Sequence, residues 1–143
     1  MRALATLGLG LWLGSGIGIT LGTRIAFKLA GGTPLAGQIA AESLSTLSKV
    51  TWAAIALIAA AALLGVRGAW LWPVLGAALA FLVSQLAVTP VLRRMRQAAG
   101  GSMENLSKDD PQRRRFGMLH GVSMLLLLAQ LAGAATATVL LAQ

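Results

Sequence analysis

The chain holds one histidine, His120, and a few polar side chains set into long apolar runs, and these are the residues whose types could do chemistry. An imidazole can ligate haem iron, a chlorophyll magnesium or copper, or relay protons, and Met124 shares its helical face at i and i+4. A metal site recruits several ligands, and the sequence supplies no cysteine and no second histidine. The expectation is therefore an interfacial histidine bonded to Gln85 or to a backbone carbonyl, with no cofactor. A second group, Gln38, Glu42, Ser45 and Lys49, recurs at helical spacing and forms one polar stripe. Lys49 stands about 22 Å along its helix from Pro34, near the inner membrane interface where its stem can snorkel. One reading makes this stripe a cytoplasmic extension whose Glu42 pairs with Arg24 or Lys28. The other makes it part of a buried substrate or ion site. Gln85 lies about 10 Å inside Leu92 by helical rise, so Arg24, Glu42, Lys49, Gln85 and His120 make up the candidate polar site. A transporter or channel would use it to meet an anionic or proton-linked solute.

Other chemistries are excluded by what is missing. With one histidine, and with its few acids in a loop or on the second helix, the chain assembles no hydrolytic triad. The glycine-rich start lacks the GK[ST] ending of a phosphate loop and any strand before it. The lack of cysteine removes thiolate, disulfide and CxxC redox chemistry. The expectation is that the protein is not an enzyme.

The elements that must position these residues are membrane helices. In 143 residues, 57% of side chains are hydrophobic and mean hydropathy is +0.77, well above a soluble domain, in which about half the residues are apolar. A bilayer core about 30 Å thick needs about 20 apolar residues in a helix. The spacing predicts helices over about 3–29, 34–66, 70–92 and 111–141, joined between the last two by a basic loop, 93–110. Thr33 reads as an N-cap before Pro34, and Asp110 as an N-cap before Pro111. Gly65 and Gly68 bracket Arg67 in a tight turn. Short connections make the helices antiparallel neighbours in one all-α, integral membrane four-helix bundle and a single domain.

Within the first helix Gly10, Gly14, Gly18 and Gly22 repeat every four residues, a glycine zipper of the kind that lets membrane helices approach closely. It is expected to pack this helix inside its own bundle, against small faces at Ala53, Ala56, Ala60 or Gly76, Ala77, Ala80; a homodimer seam is the second reading. Gln130, Thr136 and Thr138 are expected to hydrogen-bond between helices, at about 0.6 kcal/mol each.

The formal charge is +8, and its bearers gather at the ends of apolar runs, which points to lipid headgroups and topology signals rather than nucleic acid. Arg93, Arg94, Arg96, Lys108, Arg113, Arg114 and Arg115 between the third and fourth helices, with Arg24 and Lys28 between the first and second, outweigh Arg2 and Arg67 on the opposite side. Both loops are therefore expected in the cytoplasm and both termini outside. Arg93, Arg94, Arg96, Arg113, Arg114 and Arg115 are the expected contacts to anionic headgroups. The predicted location is a membrane, the bacterial inner membrane in particular. Arg2 followed by an apolar run also reads as a signal peptide cleaved near residues 14–18, but the run exceeds the 7–15 residues typical of a signal core, so a retained helix is expected.

The stretch Arg113-Arg114-Arg115-Phe116-Gly117-Met118-Leu119-His120 and onward to Gln130 resembles the transmembrane protein 205-like family of small four-helix membrane proteins, many of them bacterial. Phe116, Leu119, His120 and Ser123 match its F-x-x-L-H-x-x-S pattern at the start of the last helix. Thr89-Pro90-Val91-Leu92-Arg93-Arg94 looks like its Pro-then-basic end of helix three, and Phe27-Lys28-Leu29 with Ala36-Gly37 resembles elements around its first loop. The chain departs from the family at Thr23-Arg24, where a Pro is common, at Leu44 and Leu47, where aromatics are common, and at Leu126 or Leu127, where an Asn is common. The resemblance implies the fold and implies no established reaction. The first functional expectation is thus a structural or accessory membrane protein that works through helix packing, as a homodimer or in a larger membrane complex. Alternatives are a small transporter or channel, and a haem- or pigment-binding subunit using His120.

Overall fold

The computed structural model describes residues 1–30, 34–101, 103, 106–107 and 109–143. The Gly31-Gly32-Thr33 break, with Thr33 as a cap, and Ser102 and Lys108 of the basic loop lie outside the described residues. The helices are α1 (Arg2–Ala30), α2 (Pro34–Leu63), α3 (Leu71–Val83), α4 (Thr89–Ala98) and α5 (Pro111–Ala142), with a π-helical turn, Ser84–Val88, joining α3 to α4. They form four spans long and apolar enough to cross a membrane, Arg2–Ala30, Gly37–Leu63, Leu71–Ala98 and Pro111–Ala142, and no strand occurs among the described residues.

The element ends follow from local chemistry. Asp110, in an extended conformation, accepts a 2.7 Å hydrogen bond from the Gln112 N–H, and Pro111 opens α5 behind it. This satisfies one of the donors that every helix start leaves free. Between α2 and α3 the chain turns at Gly65 (φ 93°) and Gly68 (φ 157°), conformations that cost glycine little. The third span does not stop at Leu92. Arginines and alanines are good helix formers, so the helix runs on to Ala98 and ends at Gly100 and Gly101, both at positive φ. Arg93, Arg94 and Arg96 therefore stand on a helix rather than in a loop.

Pro90 accounts for the π turn. Its ring supplies no N–H and crowds the carbonyl four residues back. The chain widens by one residue there, and the Thr89 N–H reaches the Ser84 carbonyl, five residues back.

The core draws Ala5, Leu9 and Trp12 from α1, Ala54, Ile58 and Ala61 from α2, Val74, Ala77 and Phe81 from α3, and Ala134, Ala137 and Leu141 from α5. Trp12 and Trp52 both meet Phe81 edge to face, at centroid distances of 6.5 and 5.2 Å. Three spans thus share one aromatic layer. Close approach falls to glycines other than the expected four. An added Cβ on Gly8 would lie 2.9 Å from the Ala54 carbonyl oxygen and 2.8 Å from Ile58, on Gly16 2.6 Å from Leu131, and on Gly133 2.7 Å from the Pro73 carbonyl oxygen.

Gly10, Gly14, Gly18 and Gly22 face outward, with nothing within 4 Å of an added Cβ on any of them. Their expected role as the seam inside this bundle is corrected here. At 100° per residue these four glycines stand roughly opposite the buried face of α1. The buried face of α1 instead uses mixed spacings of four and three: Ala5, Leu9, Trp12, Gly16.

Candidate functional site

The five residues of the expected polar site are spread over all four spans and do not converge. Arg24, Glu42, Lys49 and His120 are exposed and Gln85 is half-buried in the π turn. No hydrogen bond or ion pair joins any two of them among the described residues. The buried face of α2 runs through Ala40, Leu47, Thr51, Ala54, Ile58 and Ala61. Gln38, Glu42 and Lys49 stand roughly 180° from it at 100° per residue, and all three are exposed. The stripe is real as a helix face, but it points away from the bundle. Glu42 makes no ion pair with Arg24 or Lys28 among the described residues; it lines an open groove of about 330 Å³ with Ile19, Ile39, Ser43 and Thr46.

Lys49 lies three residues before Trp52, hence about 5 Å along the axis from the aromatic layer. Gln130 is buried, at 4% exposure. Thr136 and Thr138 donate to their own helix, to the carbonyls of Ala132 and Ala134 at 2.9 and 2.8 Å, so the expected interhelical bonds from these threonines are not formed. The indole N–H groups of Trp12 and Trp70 are buried with no acceptor among the described residues.

His120 does not bond Gln85. Its ring stacks parallel to Phe116, with centroids 6.2 Å apart and 2° between planes, and the Arg96 guanidinium carbon stands 6.0 Å from the centre of the same Phe116 ring. A cation over a ring face within about 6 Å is attracted by the ring quadrupole. The stack ties the end of α4 to the start of α5. No group of three or more His, Cys, Asp or Glu able to hold a metal occurs among the described residues.

Next to the stack, α4 and α5 form a cleft of about 260 Å³ lined by Arg94, Met95, Ala98, Gln112 and Arg115. Arg94 and Ala98 share a face of α4 at i and i+4, and Gln112 and Arg115 share a face of α5 at i and i+3. Neither guanidinium has a hydrogen-bond or ion-pair partner among the described residues. Arg113, by contrast, is engaged: its Nη1 donates to the Leu106 carbonyl at 2.8 Å, clasping the loop to α5. By sequence alone all six arginines form one basic surface. The signal that separates them is the helical spacing on either side of the Gly100-Gly101 turn.

The fold and these sites define an all-helical chain with four apolar spans. Comparison with known proteins finds no matching family model, no matching curated protein and no matching solved structure.

Proposed function

We propose that the protein is a four-pass integral membrane protein with an accessory, structural role, working through lateral contacts of its α1–α2 pair with other membrane helices. The observation that carries this reading is the outward face of that pair. Lys49 is exposed, about 5 Å along the axis from the aromatic layer, without an ion-pair partner among the described residues. Charged side chains at membrane depth are costly, by about 2.5–3.5 kcal/mol at the centre, and are found paired or facing other protein. The unfilled glycine face of α1 supports the same reading, because it offers backbone to an approaching helix.

Distances from the aromatic layer support the membrane placement and the antiparallel order. Counting about 1.5 Å per residue, Arg24, Glu42 and Arg93 fall about 15–18 Å from the layer. Arg2, Leu63 and Trp70 fall a similar distance away when counted in the opposite direction along each helix. The two sets define a slab close to the ~30 Å hydrocarbon core, with Trp12, Trp52 and Phe81 near its middle. The excess of arginines beside Arg93 favours the cytoplasm for that side, with both termini outside. A bacterial inner membrane suits this topology, and the sequence resemblance to transmembrane protein 205-like proteins accords with it. The scattered polar residues favour lateral contact over a transport site.

Native mass spectrometry of the protein released from its own membrane in mild detergent tests this. A retained polypeptide or a defined oligomer supports the reading. A bare monomer that carries out solute flux, lost in Lys49→Ala, would overturn it in favour of a transporter; a retained haem or pigment mass, lost in His120→Ala, would favour a cofactor subunit.

A further inference from the structure

We infer that the cleft between α4 and α5 is a binding site for one phosphate-bearing anionic phospholipid headgroup, held by Arg94 and Arg115 with Gln112 as a third donor. This rests on the membrane reading above and goes beyond it, since a generally basic loop attracts anionic lipid without selecting a position. Each of the two helices contributes one arginine to the lining of the same cleft, and neither cation has a protein partner among the described residues. Guanidinium groups bind phosphate oxygens in bidentate fashion, and two of them on opposite walls can divide the non-bridging oxygens of one phosphodiester between them.

The cleft's size and level both suit a headgroup. Its volume of about 260 Å³ falls below the 300–1,000 Å³ of pockets that enclose drug-sized ligands. It would admit the phosphate and adjoining glycerol while leaving acyl chains in the bilayer. Arg94 follows the apolar span by two residues, and Arg115 directly precedes Phe116 where the next apolar run begins. Both are therefore at headgroup level in a membrane-spanning bundle. Met95 and Ala98 supply an apolar wall suited to the upper glycerol backbone. Asp110, two residues before Gln112, is committed to capping α5 through the Gln112 N–H, and the Gln112 side-chain amide remains for the ligand. The Arg96–Phe116 contact links α4 to α5, and the Arg113–Leu106 bond holds the connecting loop on α5.

The test is native mass spectrometry of the full chain from lipid nanodiscs of phosphatidylcholine containing a few per cent phosphatidylglycerol, comparing wild type, Arg94→Gln/Arg115→Gln and Arg93→Gln/Arg114→Gln. The last pair removes the same charge outside the cleft. The expected result is one phosphatidylglycerol retained by the wild type and by the outer pair, with affinity falling about thirtyfold in the cleft pair. Equal loss in both double variants would overturn the site in favour of diffuse attraction, as would retention in both. Displacement of the lipid by millimolar inorganic phosphate would show that the cleft takes free phosphate and overturn the lipid assignment. Failure of the wild type to enter nanodiscs would refute the membrane reading itself, a result distinct from entry without selective retention.

Discussion

Replacing Gly133 by alanine should destabilise the bundle, whereas the same change at Gly14 should not. At Gly133 an added Cβ would sit 2.7 Å from the Pro73 carbonyl oxygen and 2.9 Å from the Ala77 Cβ. Moving that backbone oxygen from 2.7 Å to ordinary contact at 3.4 Å requires α3 and α5 to part by about 0.7 Å. The interface between them holds Val74, Ala77, Ala134 and Ala137, all buried, so separation loosens packing along the pair. Overpacking of this kind costs about 1–3 kcal/mol, offset in part by the roughly 1 kcal/mol that alanine gains over glycine in a helix. Gly14 meets nothing within 4 Å, so only the helix term applies and Gly14→Ala should be neutral or stabilising by up to about 1 kcal/mol. Reversible unfolding of the detergent-solubilised monomer, followed by tryptophan fluorescence, measures both, because Trp12 and Trp70 are buried. Equal midpoints for the two variants, or a larger loss at Gly14, would refute the assignment of close helix contact to Gly133 and of the open face to Gly14.

Two further outcomes are expected. Because the chain has no cysteine, single-cysteine labelling in sealed vesicles reads topology directly: Ser107→Cys should react only from the cytoplasmic side and Ala69→Cys only from the opposite side, and the reverse pattern would overturn the orientation. Asp110→Ala should remove the 2.7 Å cap on the Gln112 N–H, cost about 1 kcal/mol and speed amide hydrogen exchange in the first turn of α5; unchanged exchange there would show that the cap is not what holds that turn.

The apolar spans were legible from the sequence because membrane helices announce themselves by run length, and Asp110-Pro111 was legible because a cap is a local chemical event. What one helix does to another was less so. A four-residue glycine repeat marks a face open to close approach but does not say which neighbour it meets, and within the chain Gly8, Gly16 and Gly133 make the contacts while the repeat faces outward. The polar stripe of α2 was found at the right residues, while its direction depends on where Ala54, Ile58 and Ala61 find partners. The π turn had a visible cause in Pro90, although proline alone does not say whether a helix kinks, ends or widens. The pairing of Arg94 with Arg115 required knowing that α4 continues past the apolar run and returns beside α5.

The most direct test of lateral assembly is site-directed photo-crosslinking in the membrane where the protein is made, from Gly14→Cys and, as control, Leu79→Cys, each carrying a maleimide–benzophenone. Both positions are exposed in the single chain, and each lies two residues, about 3 Å, from the shared aromatic layer. The expected result is a discrete higher-mass product from position 14 and only lipid adducts from position 79. Lipid adducts alone from both positions would contradict the account and leave the glycine face exposed to lipid.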